Sequence, residues 1–430
     1  MSTAALIEIY LHGKWTPAAS IEPLGDEHAR VEYLPEYIFA TDRPVPISLN
    51  MPVELTPIQN DGSKPLMPAF LYDLVPQGKG RKLLIGLLDL RDHEGLALPL
   101  LLNGAFNPIG ALRVDQAVQF HARYLEQNPP PDTAGGFTFR ELAERTENVI
   151  DYLSTHSMLA AGTTGVQGAA PKLLLSADQA GRLHPDMALP DDQTCSHWLL
   201  KGPRGNTRDD QLILQNEAAY LRVAAACGLH VHAIDDIELQ GQWLKMRRFD
   251  RQATESGVQR LAQESLASLT GLQGFGRTTT LNRLLDALRT HSSDPLADTV
   301  EFLQRDVLNQ ALRNTDNHAR NHALQRRPDG SIRLTPLFDF APMFKDPELI
   351  PRALHWTNEQ GKRLTEWNEI LNALELPADE VGIIATRLER FAETIGKLPQ
   401  LARDAGVDST ILEACRHAIA AQADSLARIR

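Results

Sequence analysis

Cysteine is nearly absent from this chain: Cys195, Cys227 and Cys415 are the only three in 430 residues. They are far apart, odd in number and never form a Cys-x-x-Cys pair. That excludes a disulfide framework or a zinc knuckle, leaving idle thiols in a reducing compartment. Long hydrophobic runs are also missing. The most apolar windows, Leu83–Leu90 and Leu96–Leu102, fall far short of the roughly 20 residues a membrane helix needs. No basic-then-apolar leader opens the chain, so a cytoplasmic location without membrane contact is expected. A surplus of positive charge is lacking too. Lys and Arg number 43 against 55 Asp and Glu, for a net charge of −12. This argues against a broad basic surface, and no direct nucleic-acid binding is expected. What remains is an ordinary globular composition, 43% hydrophobic and 23% charged, in a chain long enough for two or three packed units.

The pattern along the chain divides into three segments. Residues 1–127 read as an N-terminal subdomain rich in strands, from Ala5–Leu11 through Val31–Leu34 and Pro46–Leu49 to Gly110–Val114. A short helix, a Pro/Gly turn and a second helix over Phe70–Leu88 interrupt it. Asn128-Pro-Pro-Pro-Asp132 and Thr133–Gly136 form a stiff-then-flexible linker. Residues 137–250 read as a sheet core. It opens with a helix capped by Thr138, continues with a glycine-rich turn before the apolar strand ending at Leu175, and includes strands Trp198–Lys201 and Leu244–Phe249. Between these strands Asn216–Cys227 has helical spacing, and Gly228 stops it. Residues 251–430 carry long amphipathic helical patterns, notably Leu281–Thr290, Thr299–Arg313, Ala378–Leu398 and Thr410–Ile429. The expectation is an α+β, two-lobed protein-kinase-like fold, with a β-rich part followed by an all-helical C-terminal lobe.

The chemistry concentrates in Asn314-Thr-Asp-Asn-His-Ala-Arg-Asn321 and Leu337-Phe-Asp-Phe340. Asn321 follows Asp316 by five residues and Asp339 follows it by 23. Phosphoryl transfer from ATP needs such a set. One carboxylate, Asp316, orients the acceptor hydroxyl, while Asn321 and Asp339 offer hard oxygens to Mg²⁺. Lys201 closes a strand, and a helix carrying Glu217 follows sixteen residues later. A strand lysine steadied by a helix glutamate is a recurring way to hold ATP phosphates; a strand-end lysine beside an unrelated glutamate is the plainer alternative. The loop Gly162–Gly168 lets backbone N–H groups approach phosphate, although no Walker A pattern exists. Lys172 adds a cation, or is an exposed strand charge. His318 and His322 stand four apart, but Ala319 occupies the glutamate position of a zinc-protease motif, so His318 reads as bracing the loop. His230 and His232 read as surface residues along a strand edge, and Asp235-Asp236 as a solvated turn. The backbone around Arg247–Phe249 suits adenine, whereas an Asp-Arg pair such as Asp250-Arg251 is often just a turn and an ion pair, weak if exposed.

With these residues assembled, the chain resembles the HipA family of bacterial toxin serine/threonine kinases over nearly its whole length. Leu71–Gly78, Gly110–Val114, Gly168-Ala-Ala-Pro-Lys172, Gln215-Asn-Glu217, Arg248-Phe-Asp-Arg251 and Gln263-Glu264 are similar to family motifs. Thr315–Asn321 and Leu334-Thr-Pro-Leu-Phe-Asp339 are specific in combination. The resemblance implies ATP and Mg²⁺ as cofactors and Asp316 as the catalytic residue. Lys201, Gln263, Gly168, Arg247, Phe249 and His318 then stand around the nucleotide, with Asn321 and Asp339 on the metal. It also implies a protein substrate, in the family an aminoacyl-tRNA synthetase, and restraint by a small helix-turn-helix antitoxin. One departure matters. The family's regulatory serine is replaced here by Gly165, and Ala170 stands where glutamine is usual, so autophosphorylation would have to move to Thr163 or Thr164. Two other readings stay open: a kinase of small metabolites or antibiotics, and a catalytically silent HipA-like binding protein.

Overall fold

The computed structural model describes residues 4–40, 42–55, 64–128, 135–144, 170–255 and 257–429. Contacts divide the chain into two units, residues 1–202 with 245–277, and residues 203–244 with 278–430. This grouping cuts across the three sequence segments, because the strand-rich segment and most of the sheet core fall in one unit.

In the first unit, β1 (Ala5–Leu11), β2 (Lys14–Pro23), β3 (Ala29–Tyr33) and β4 (Leu112–Val114) form an antiparallel sheet in the order β3-β2-β1-β4. Alternate residues of β1 point inward, as the two-residue pleat requires. Ile7 and Ile9 are thereby buried with Ile21, Val114 and Phe106. Helices Gly78–Leu87, Ala97–Gly104 and Asp115–Gln127 accompany this sheet, and the Leu6 N–H donates to Asp115 Oδ1 at 2.6 Å. The expected strand at Pro46–Leu49 is absent: proline offers no N–H to a ladder, and only an isolated bridge from Ser48 to Met51 forms. Thr138 caps its helix as expected, exchanging hydrogen bonds with Glu141.

A second antiparallel set follows, β5 (Lys172–Ala177) flanked by β6 (Leu183–Pro185) and β7 (Ser196–Lys201). A buried ionic network joins it to the first sheet's loops. Asp186 accepts from Ser176 Oγ at 2.6 Å, Asn107 Nδ2 at 2.7 Å and Arg248 Nη1 at 2.7 Å. Arg248 also grips Asp250 through two nitrogens. Asp250 accepts from the Gly110 N–H at 2.9 Å, while Arg251 donates to the carbonyls of Gly110 and Pro108. Gly110 is required at this spot: its φ is +92°, and a Cβ there would meet the Gln263 backbone nitrogen at 3.3 Å. The reading of Asp250-Arg251 as a weak exposed pair is therefore corrected. Both side chains are buried, and burial with hydrogen bonding turns such pairs into structural fixtures.

The second unit is built around helix Pro295–Ala311, which packs on helices Leu281–His291, Ala378–Gly396 and Ser409–Ala427. Phe302, Leu303, Val307, Ile384, Leu388, Ile411 and Ile419 fill the space. Asp294 caps the central helix by accepting from the Ala297 N–H, and Pro295 opens it. Helix Arg208–Ala226 starts earlier than the Asn216 expected, because Thr207 and Asp210 form a capping box. The C-terminal part is not all-helical. Ala323–Arg326 pairs with Ile332–Leu334, and Trp356–Thr357 with Arg363–Leu364. His230 and His232 lie in the irregular stretch after helix Arg208–Ala226, not on a strand. Among the described residues, no helix is long and apolar enough to cross a membrane.

Candidate active site

Helix Pro295–Ala311 delivers the chain into the segment that carries Asp316. The helix ends at Leu312, and Arg313 turns the backbone left-handed with φ 55°. Asn314 then folds back on the helix end. Its N–H donates to the Asn309 carbonyl at 2.8 Å, and its Nδ2 to Asn309 Oδ1 at 2.9 Å. Asp316 follows, partly exposed. Its carbonyl accepts from the His318 N–H at 3.1 Å and from Asn321 Nδ2 at 2.9 Å. The structure thus joins Asp316 directly to Asn321. It also sets the Asn321 amide so that Oδ1 is buried with no hydrogen-bond partner among the described residues. A buried acceptor without a donor is costly, and such an atom often marks the place of an ion or water. His318 Nε2 lies 3.9 Å from Asp316 Oδ1.

The Asp339 segment is anchored from the same helices. Arg305 is buried in the central helix and donates to the Thr335 carbonyl at 2.7 Å while pairing with Glu301. Asp298 accepts from Arg333 and from the Leu334 N–H at 3.0 Å. Asp339 itself adopts φ 54°, a left-handed conformation that aspartate tolerates better than most residues. Phe340 packs its ring 5.2 Å from Tyr220, whose hydroxyl donates to the Leu312 carbonyl at 2.9 Å. Helix Arg208–Ala226 therefore braces both the start of the Asp316 loop and the residue after Asp339. Glu217, one turn before Tyr220, is buried in that helix.

The residue types and their surroundings fit Mg²⁺. Asn321 and Asp339 are hard oxygen donors, and the buried Asn321 Oδ1 accepts no hydrogen bond from the described residues. Magnesium commonly takes one or two protein oxygens and fills its shell with water and phosphate. Accordingly, a His/Cys/Asp/Glu cage is not needed, and none of three or more members occurs among the described residues.

In the first unit, Lys201 ends β7 directly opposite Lys172 at the start of β5. Both are buried, which corrects the alternative of an exposed charge for Lys172. Opposite partners in an antiparallel pair share one face, so the two lysines leave the sheet on the same side. Gln263 is half-buried, and its Oε1 is enclosed without a hydrogen-bond partner among the described residues. Arg247 is exposed, with its guanidinium 5.1 Å from the Trp198 ring centre, and Phe249 is half-buried. Gly168, Thr163, Thr164 and Gly165 lie outside the described residues.

Sequence reasoning missed the polar scaffold behind the loop. Asp298, Arg305 and Asn309 are buried on the central helix in phase with Phe302, and their seven- and eleven-residue spacing was the available signal. It weighed His322 only as half of a zinc motif and gave it no other role, whereas the structure buries it. The ring's Nε2 lies 2.7 Å from Asn317 Oδ1, and burial pushes its pKa down to about 3. Ser176, His197 and Asp186 lie within hydrogen-bond reach of one another. Each is buried, and Arg248 holds the carboxylate, which makes this trio part of the core.

Two family models match the chain, one for the HipA N-terminal domain over residues 7–115 and one for the HipA-like C-terminal domain over residues 164–397. The Sinorhizobium fredii protein Y4dM, a kinase by name, is 22% identical over 358 residues, spanning 79% of this chain and 77% of its own. Among solved structures, a chain of the Shewanella oneidensis MR-1 complex of HipA, HipB and operator DNA is similar with a TM-score of 0.63. The identity is 19%, covering 98% of this chain and 97% of that one. The shared architecture is an α+β kinase-like fold.

Proposed function

The chain belongs to the HipA family, and on that premise we propose that it is an ATP- and Mg²⁺-dependent protein serine/threonine kinase restrained by a small helix-turn-helix antitoxin. The observation that carries the reading is the bond from Asn321 to the Asp316 carbonyl, which leaves Asn321 Oδ1 buried and available. Asp316 orients the acceptor hydroxyl and takes its proton as the oxygen attacks the γ-phosphorus and the bond to ADP breaks. Asn321 and Asp339 hold Mg²⁺, which when bound neutralises charge on the phosphate oxygens. Lys201 and Lys172 are assigned to the phosphates, Gln263, His318 and Gly168 to the nucleotide's surroundings, and the backbone at Arg247 and Phe249 to adenine. With a net charge of −12, the chain has little attraction for nucleic-acid phosphates, and DNA contact is assigned to the antitoxin. Thr163 and Thr164 are the proposed autophosphorylation acceptors.

Calorimetry with ATP, with and without magnesium, tests the metal assignment, and radiolabelled phosphate transfer tests the base. Asp339→Asn should lose the magnesium-dependent gain in affinity. Asp316→Ala should keep nucleotide binding and lose turnover by about 10²–10⁴-fold. Equal ATP affinity in wild type and Asp339→Asn at saturating magnesium would remove Asp339 from the metal site.

A further inference from the structure

Two hydrogen bonds close the segment Asp316–His322, and each joins residues five apart. Asn321 Nδ2 donates to the Asp316 carbonyl at 2.9 Å, and one position further along His322 Nε2 meets Asn317 Oδ1 at 2.7 Å. The second bond therefore joins the residue following Asp316 to the residue following Asn321. We infer that the Asn317–His322 bond is a positioning device for phosphoryl transfer, setting the separation between the Asp316 carboxylate and the Asn321 amide oxygen. The inference rests on the kinase reading of this loop.

Both partners are buried, each about 2% exposed, so water does not compete for the bond. With Oδ1 facing the ring, the imidazole carries its proton on Nε2. The ring is wedged edge-on against Phe302, at 5.1 Å between centres and 64° between planes. Phe302 belongs to the central helix, which also holds Asn314 through Asn309. The bond is thus referenced to the same rigid element that anchors the loop's entry. Among the described residues neither Asn317 Nδ2 nor His322 Nδ1 has a hydrogen-bond partner, so this single bond is what holds both side chains there. A catalytic pair held by one neighbouring hydrogen bond is sensitive to its loss, because displacement of reacting groups by a fraction of an ångström slows transfer.

The test uses the full chain and three variants. His322→Phe keeps the ring and removes the donor, Asn317→Leu removes the acceptor, and His322→Gln returns an amide N–H in place of the ring N–H. We expect kcat to fall about tenfold or more in the first two, with metal-free ATP affinity unchanged within about twofold. The magnesium concentration for half-maximal nucleotide affinity should rise several-fold in the same two variants, and His322→Gln should recover most of both losses. The double variant His322→Phe/Asn317→Leu should be no worse than either single variant. Wild-type kcat and magnesium response in a folded His322→Phe would overturn the inference, as would equal losses of kcat and metal-free ATP affinity. A wild type without metal-dependent nucleotide binding would remove the kinase reading and this inference with it. A working wild type beside unaffected variants would remove the inference alone.

Discussion

Arg248 in the first unit lies between Asp186 and Asp250, and Arg251 adds a second cation to Asp250. Around residues 314–322 of the second unit, the buried polar groups are three asparagine amides, an imidazole and the Arg320 guanidinium. There, Asn314 Oδ1, Asn317 Nδ2, Asn321 Oδ1 and His322 Nδ1 have no hydrogen-bond partner among the described residues. Burial disfavours charge on Arg248, yet the two carboxylates hold its proton more firmly than usual. Likewise, burial opposes ionisation of Asp250, and Arg248 with Arg251 still hold it well below the usual carboxylate range. Charges that find partners make a frame in which both oxygens of Asp186 and of Asp250 are engaged, while Arg251 Nε and His197 Nε2 have no hydrogen-bond partner among the described residues. Open amide valences cost stability and leave capacity behind. The contrast separates a region tied together by charge pairs from the region to which the proposed chemistry is assigned.

The largest effect should come from breaking the charge-paired frame. Arg248→Met leaves Asp186 and Asp250 without their shared guanidinium and should cost about 3–5 kcal/mol. Urea denaturation followed by tryptophan fluorescence measures this. A loss no larger than that of a surface ion-pair variant such as Arg30→Ala would show that the network is slack.

The two regions should next differ in the sign of their pH response. Glu264 is pushed up to about 7, chiefly by burial and against hydrogen bonds from Ser268, the Leu49 N–H and Ser48. Its folded form keeps a proton that the unfolded form has released. Its contribution is therefore full below the unfolded pKa near 4.5 and erodes by about 3 kcal/mol as pH passes 7. His322 is shifted the other way, to about 3, by burial first and then by Arg305. Its contribution is full above 6.5, and acidification to pH 5 should remove about 2 kcal/mol. Glu264→Gln should flatten the decline on the alkaline side, and His322→Gln the decline on the acid side. Denaturation midpoints at pH 5, 6 and 7.5 decide it; slopes unchanged in both variants would erase this part of the contrast.

The smallest effect belongs to a cap outside either network. Thr207 accepts from the Asp210 N–H, and Asp210 accepts in return from the Thr207 N–H. Thr207→Ala should cost about 1 kcal/mol and leave both pH slopes untouched. A change in magnesium-dependent nucleotide affinity there would mean that the helix carrying Glu217 shifts with its cap.

Much of this arrangement was legible in the sequence because local rules decide it. The strand at Lys172, the helix at Leu281 and the Asp316-to-Asn321 spacing follow from periodicity and motif chemistry. The helix start at Arg208 was missed although Thr207 and Asp210 stand at capping-box spacing, because the alanine-rich stretch after Asn216 drew the boundary inward. Hairpin Ala323–Leu334 was missed because its strands are short and its stability comes from Asp298 and Arg305 on a helix far away in sequence. The Asp250-Arg251 pair was misjudged for a related reason. Its burial depends on Gly110 and Pro108, about 140 residues earlier, and no window of neighbouring residues reveals that.

The left-handed backbone at Asp339 has a consequence for the history of such chains. Asparagine and glycine accept that conformation as readily as aspartate, and both codon families lie a single nucleotide from those of aspartate. A duplicated copy can therefore lose the carboxylate in one mutational step while its turn and the packing of Phe340 persist. Saturation mutagenesis at this position should yield soluble, folded, inert protein for Asn and Gly, and poor expression for Val, Ile and Thr. Under the metal role proposed for Asp339, loss of activity without loss of the fold is one substitution away.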